Sequence, residues 1–324
     1  MGPESVSAYP LIFAKLGYTT LCLPCRRHSE RRCLPPAIPS AVVNPSEIHK
    51  RWDSDEQFAV VLHSILQHRP GEEWYADAPK VSHPWEGVEA CDCRGLNLQR
   101  GQFGEISFSG CDLSSSTFRG SNFTGTYFQG AILSECNFSE ARFEKTQMIP
   151  LYAKGANFEK TTFVAISANQ SDISSSSFKS AALQELFLTG SMLPRNDFSG
   201  ITAEYSKFNV CLLESSNFRD AKIVNTSFSG AQLVHCIFAD ATLENCDMRG
   251  SDCRGVDFSN ARLIGGQFGR IARALGMAAT KFDDTPAVRK MVAMSGAEGL
   301  DQIEWCAVTD SLDTRRQATG DPCP

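Results

Sequence analysis

The amino-acid sequence predicts an all-β solenoid, a rod of about nine stacked coils with short α-helical segments at both ends. Three observations carry that prediction. From Cys93 every fifth residue, through Leu98, Phe103, Phe108, Leu113 and Phe118 to Leu263 and Phe268, is almost always Phe, Leu, Ile or Met, with no insertion or deletion. A period of twenty lies on top of it. Leu98, Phe118, Phe138, Phe158, Phe178, Phe198, Phe218, Phe238 and Phe258 make one column, and Leu113, Leu133, Ala153, Ile173, Leu193, Leu213 and Leu233 make the next. Finally, where the central residue shrinks to Ala153, Ala168 or Ala203, the residue two earlier grows to Leu151, Ile166 or Ile201.

Neither a helix nor a strand has a five-residue period, so the unit is a repeat that buries a core only by stacking. Two residues before each central position sits mostly something small, such as Cys111, Ser116, Ser121, Thr126 and Ala131. The residue between is often Asn or Asp, as in Asn122-Phe123, Asn137-Phe138 and Asp257-Phe258. The volume exchange at the three alanines means that both the small and the large position point inward, since cavities and overpacking each cost about 1 to 5 kcal/mol. With four units to a coil and coils about 4.8 Å apart, the rod is roughly 43 Å long.

This pattern closely resembles the pentapeptide-repeat family, whose unit is a small residue, then Asp or Asn, then Leu or Phe, then two variable residues. The resemblance covers roughly residues 91–270. It implies a right-handed quadrilateral β-helix, with four pentapeptides making one square coil.

The flanks follow in order. Residues 1–45, with Pro24, Pro35, Pro36 and Pro39, read as a flexible leader. Residues 46–90 read as a helical cap and connector. Within SDEQFAVVLHSILQHR (54–69), Ser54 and Gln57 make a capping box, and Phe58, Val61, Leu62, Ile65 and Leu66 form one apolar stripe. Pro70-Gly71 stops that helix, and Trp74, Tyr75, Pro84 and Trp85 lead to the first repeat. Such a cap covers the unpaired strand edge of the first coil. In 271–324, a short helical C-terminal region, Thr285-Pro286 opens a helix through Val288, Met291 and Val292 that ends at Gly296. A further amphipathic stretch holds Leu300, Ile303 and Trp305, and a loose tail follows from position 311.

A net charge of −6 with both signs interspersed offers no basic stripe, so no nucleic-acid partner is expected. Residues 8–25 are the most apolar early stretch, but Pro10 and Lys15 interrupt them and the basic RRHSERR follows. That order does not fit a secretory signal, and the stretch is too short for a transmembrane segment. Val6 stands where a myristoylation motif wants Ser or Thr. The expected setting is the cytoplasm, or export without a cleavable signal.

Eight of the thirteen cysteines, Cys91, Cys93, Cys111, Cys136, Cys211, Cys236, Cys246 and Cys253, fall on inward positions. They read as small hydrophobes in a reducing compartment. Cys22, Cys25, His28 and Cys33 could supply four zinc ligands. Their tight spacing and Pro-rich surroundings favour a flexible basic segment instead, with a CxxC redox role or palmitoylation as further readings. His63 and His68, five apart, share a helix face poorly, and His235 falls on an outward position. No phosphate loop, GxSxG or HExxH is present. No catalytic residue, cofactor or metal is expected from the repeats.

Ahead of the aliphatic column runs an outward one: Asp92, Asp112, Ile132, Tyr152, Asp172, Met192, Leu212, Gln232 and Asp252. Ile132, Tyr152, Met192 and Leu212 are apolar where the family pattern has Asp or Asn. They are the candidate protein-interaction residues. The competing occupants of that strip are a terminal helix of the same chain and a second copy of the rod, a homodimer.

The sequence therefore predicts a non-enzymatic module that presents flat faces to a protein partner. The resemblance suggests two narrower alternatives. Some family members mimic DNA and bind gyrase, but those rods are acidic, whereas residues 91–270 hold 18 acidic and 16 basic residues, a difference of −2. Some bacterial effectors that act in host cells share the order of leader, helical segment and repeats. A few of those carry a HECT-like ubiquitin-ligase region after the rod. Here 54 residues follow position 270, too few for such a lobe, so Cys306 and Cys323 are poor nucleophiles.

Overall fold

A computed structural model describes residues 45–54, 56–67, 78–82, 89–273 and 276–308. The set Cys22, Cys25, His28 and Cys33 lies outside the described residues, as do Trp74, Tyr75, Pro84, Trp85 and Cys323.

The N-terminal end is built from α1 (Pro45–Ser54), α2 (Glu56–Gln67) and β1 (Lys80–Ser82), followed by β2 (Glu89–Asp92) and β3 (Cys111–Asp112). Where the sequence predicts one helix capped by Ser54, a first helix ends at Ser54 and a second starts at Glu56. The apolar stripe holds in the second: Phe58, Val61 and Ile65 are buried. Trp52 meets Phe58 edge-on at 4.9 Å, and its Nε1–H donates to the Arg94 carbonyl at 2.9 Å, which docks the helices on the first coil. β1 pairs antiparallel with β2, and β2 pairs parallel with β3, so the edge of the first coil is covered.

The coils are joined by parallel backbone pairing at a twenty-residue offset. Phe118 N–H donates to the Asn137 carbonyl at 2.8 Å, and Asn137 N–H donates to the Ser116 carbonyl at 2.8 Å. One wall is a continuous parallel sheet. It contains β4 (Asn122–Thr124), β5 (Arg142–Glu144), β6 (Thr162–Ser167), β7 (Ala182–Phe187), β8 (Thr202–Glu204), β9 (Lys222–Val224) and β10 (Thr242–Glu244). β11 (Asp252–Cys253) lies on another wall, and β12 (Arg262–Ile264) completes the sheet beside β10. The remaining walls pair through single bridges such as Ile132 to Tyr152.

Inside, the predicted Phe column is a stack. Phe198 and Phe218 lie 4.8 Å apart and 10° from parallel, and Phe218 and Phe238 lie 4.6 Å apart and 3° from parallel. All three volume exchanges hold, because Leu151, Ala153, Ile166, Ala168, Ile201 and Ala203 are all buried. Small inward hydroxyls are not passive filler. Ser176 Oγ donates to the Ala153 carbonyl at 2.7 Å and accepts from the Ala156 amide at 3.1 Å, stitching two coils from within.

The corners explain the Asn and Asp preference. Every fifth residue there except Pro150 has left-handed backbone, for example Ser115 (φ 59), Glu140 (φ 62) and Asn225 (φ 49). The Asn or Asp three residues before the corner accepts a hydrogen bond from the amide two residues on. Asn137 Oδ1 accepts from Ser139 at 3.0 Å, and Asp257 Oδ1 accepts from Ser259 at 2.9 Å.

The C-terminal segment prolongs the rod to about ten turns. A hairpin of β13 (Arg270–Arg273) and β14 (Gly276–Ala279) interrupts the repeat, after which β15 (Lys281–Asp283) pairs parallel with β11. α3 (Pro286–Met294) starts as predicted, with Thr285 as N-cap accepting from Val288 N–H at 3.2 Å. The amphipathic stretch at 300–305 divides instead. Leu300–Gln302 is a single 3₁₀ turn, and β16 (Glu304–Cys306) is a strand paired with β15. The sheet edge left by β15 explains the difference, since a strand satisfies it and a helix does not.

Candidate protein-interaction surface

The outward column has two kinds of position. Where it carries Asp, the carboxylate turns back onto the chain. Asp112 accepts from the Ser114 amide at 2.9 Å, Asp172 from the Ser174 amide at 3.1 Å, and Asp92 and Asp252 each form an ion pair with the arginine two residues later. Apolar residues at this position forgo that corner bond.

The four candidates are not equally accessible. Ile132 is 3% exposed, which corrects its expected place on an open surface: it lies bridged between Asp112 and Tyr152. Tyr152 and Met192 are half-buried, and Leu212 is 40% exposed. Met192 and Leu212 are bridge partners on adjacent coils, whereas Asp172 separates Met192 from Tyr152. The accessible part of the strip is therefore centred on Met192 and Leu212.

One residue that sequence reasoning did not single out extends this edge: Val210, at a left-handed corner with φ of 57, is 46% exposed, whereas Tyr205, 57% exposed with φ of 52, stands at the preceding corner, across the wall that holds Lys207. Val210 is the only β-branched residue among the described left-handed corners. The equivalent position in other coils is Gly110, Gly130, Gly190, Gly230 or Gly250, with Pro150 and the left-handed Gln170 as the two exceptions. A β-branched residue in this conformation is strained. The signal was present in the twenty-residue register, in which Val210 stands in a mostly glycine column.

Other features of the described residues offer less chemistry. A polar groove on the Phe-column wall is lined by Arg119, Glu140, Glu159 and Lys160, and Arg119 is engaged by Glu140 at 2.8 Å. No group of three or more His, Cys, Asp or Glu among the described residues could hold a metal ion. No helix among them is long and apolar enough to cross a membrane. Cys306 is buried in the last strand, with its thiol against the Glu304 carbonyl at 3.9 Å. His235 is exposed at a corner.

Burial pushes the thiols of Cys211, Cys236 and Cys246 up to about 12, as expected of inert filler. Asp92 differs. Burial pushes its carboxyl up, but hydrogen bonds from Arg94 and Arg51 and their charges outweigh that effect and lower it to about 2.

Two family models, both described as pentapeptide repeats, match residues 103–147 and 236–270. No curated protein matches the chain. Among solved structures, the chain is similar to HetL, a pentapeptide-repeat protein involved in heterocyst differentiation regulation from the cyanobacterium Nostoc sp. strain PCC 7120. That match has 19% identity over 52% of this chain and 85% of HetL, with a TM-score of 0.26. Full-length QnrB1, a plasmid-mediated fluoroquinolone resistance protein, matches with 22% identity over 52% of this chain and 91% of its own, at a TM-score of 0.31. A pentapeptide-repeat protein from the Arabidopsis thaliana thylakoid lumen matches with 23% identity over 38% and 68%, at 0.15. The five-residue units, four to a coil, and these two matches together identify residues 103–147 and 236–270 as pentapeptide repeats.

Proposed function

We propose that this chain is a non-enzymatic binding protein whose rod offers the edge formed by Met192, Val210 and Leu212 to a protein partner, with Tyr152 further along the same column. The observation that carries the reading is Val210. A β-branched side chain is held in left-handed backbone and left 46% exposed, where five other coils place glycine. Its bulk adds little to the core and costs about 1 to 2 kcal/mol of backbone strain, so a role outside the core accounts for it best. The neighbouring Leu212 also gives up the corner bond that an Asp makes.

The near-balance of acidic and basic residues on the rod argues against DNA mimicry. The order of leader, cap and rod is what supports a bacterial effector acting inside a host cell, and the partner is then a host protein. Equilibrium capture from host-cell and bacterial lysates with the full chain tests the reading against a Val210→Gly/Leu212→Asp variant and a control variant on another wall, Thr202→Asp. A partner retained by the control and lost by the edge variant is expected. Equal recovery by all three would remove the edge from the account. Self-association lost in the same variant would make the occupant a second rod.

A further inference from the structure

The first coil holds three thiols in one place. Cys91 and Cys111 are register partners in β2 and β3, and Cys93 is two residues on, just past the end of β2. Cys93 and Cys111 are fully buried, whereas Cys91, in the outermost coil, is 6% exposed. Above it lies Lys80, its antiparallel partner in β1, whose Nζ is 3.0 Å from Cys91 Sγ. No other inward rod cysteine among the described residues has a cation placed against its sulfur. Cys246 serves as an internal comparison: it is 5% exposed, but its thiol meets only the carbonyls of Ile223 and Glu244 at 3.6 Å.

We propose that Cys91 and Cys111 form a hydroperoxide-reactive dithiol, in which Cys91 attacks, Cys111 resolves and Lys80 holds the Cys91 thiolate. In the first step the Cys91 thiolate attacks the terminal oxygen of a hydroperoxide. The S–O bond forms as the O–O bond breaks, and the departing oxygen takes a proton from the Lys80 ammonium and leaves as water or an alcohol. Lys80 regains its proton from solvent. In the second step Cys111 loses its proton and its sulfur attacks that of Cys91. The S–S bond forms as hydroxide departs with that proton as water. Two thiols are oxidised by two electrons, and one peroxide is reduced.

The geometry permits the product. Neighbours in a parallel ladder are about 4.8 Å apart, inside the 4.4 to 6.8 Å Cα separation that disulfides span. Electrostatics agree with the order of attack. The hydrogen bond from Cys111 and the contact with Lys80 outweigh burial and lower the Cys91 thiol to about 6, while the Cys111 thiol is pushed up by its hydrogen bonds with Cys91 and Cys93 and by burial. A thiolate beside a cation is the reactive kind of cysteine, whereas one buried among apolar groups is inert; Cys91 and Cys246 are about equally buried, so the Lys80 contact is what sets Cys91 apart. The bridge would lock the first coil to the second, directly beneath the cap. This site is independent of the binding edge proposed above.

The test uses the reduced full-length chain. It is treated with one equivalent of hydrogen peroxide, and its cysteines are mapped by mass spectrometry. A Cys91–Cys111 linked peptide, two hydrogens lighter, is expected before any change at Cys246. In Cys111→Ser, dimedone should trap a sulfenic acid at Cys91. In Lys80→Met, alkylation of Cys91 by iodoacetamide at neutral pH should slow about tenfold, and Lys80→Arg should restore it. Cys91 reacting no faster than Cys246 in the unmutated protein would overturn the proposal, even if a variant failed to fold. An unchanged rate in folded Lys80→Met would overturn the role of Lys80.

Discussion

Arg51 grips Asp92 through two hydrogen bonds, Nη1 to Oδ2 at 2.8 Å and Nη2 to Oδ1 at 2.7 Å. A helix outside the repeats is thus anchored by a residue of the repeat's own outward Asp column, and Arg94 grips the same carboxylate from the other side. Because Asp92 is held at about 2 in the folded chain against an ordinary value near 3.8, its contribution is fully present above about pH 4 and is lost as pH falls through 2. Arg51→Met is expected to cost about 2 kcal/mol at pH 7. In urea unfolding, the gap to the unmutated protein should narrow between pH 4 and pH 2. A gap independent of pH would mean that Arg51 acts through packing on the Phe58 ring, 4.3 Å away, and not through Asp92.

The volume exchange at Leu151 and Ala153 predicts a non-additive pair. Leu151→Ala alone should cost about 2 to 4 kcal/mol through the cavity it leaves. Adding Ala153→Leu should recover part of that loss, although the same change alone, in an already filled layer, destabilises. Denaturation of the four members of the cycle measures the coupling. Simple additivity would mean that the two side chains do not share space.

Much of this interior was legible from residue types alone, because a fixed period forces every wall to repeat its environment. The Phe stacks and the inward small residues follow from that regularity, and the helix opening at Thr285-Pro286 follows from its own capping pair. What was not legible lies where the period stops. The pairing of β1 with β2 brings Lys80 to Cys91, and β16 replaces a helix because β15 leaves an edge to fill. Neither relationship is encoded in a spacing. Ile132 shows a third limit: the repeat pattern says which way a side chain starts, and its neighbours decide whether solvent reaches it.

Asn196 provides a prediction about satisfaction rather than volume. It sits fully buried in a column whose neighbours are Ser176 and Ser216, and its Nδ2 has no hydrogen-bond partner. Ser216 Oγ donates to the Leu193 carbonyl at 2.8 Å, and a serine at 196 could make the equivalent bond to Ile173. Asn196→Ser should therefore stabilise the rod by about 1 kcal/mol. A loss of stability in thermal unfolding would show that the amide's packing outweighs its missing bond.

Val210→Gly should also leave the rod at least as stable, gaining about 1 kcal/mol from relief of left-handed strain, less the greater entropy of glycine in the unfolded chain. If this substitution costs more than 1 kcal/mol, Val210 is a packing residue and its exposure carries no functional meaning.

The most direct test of the binding account is quantitative capture of lysate proteins by the unmutated chain, by Val210→Gly/Leu212→Asp and by Thr202→Asp, each shown by circular dichroism to be folded. The account predicts a partner bound equally by the unmutated chain and Thr202→Asp and reduced at least tenfold by the edge variant, a difference of about 1.4 kcal/mol or more. Equal capture by all three folded proteins would contradict it.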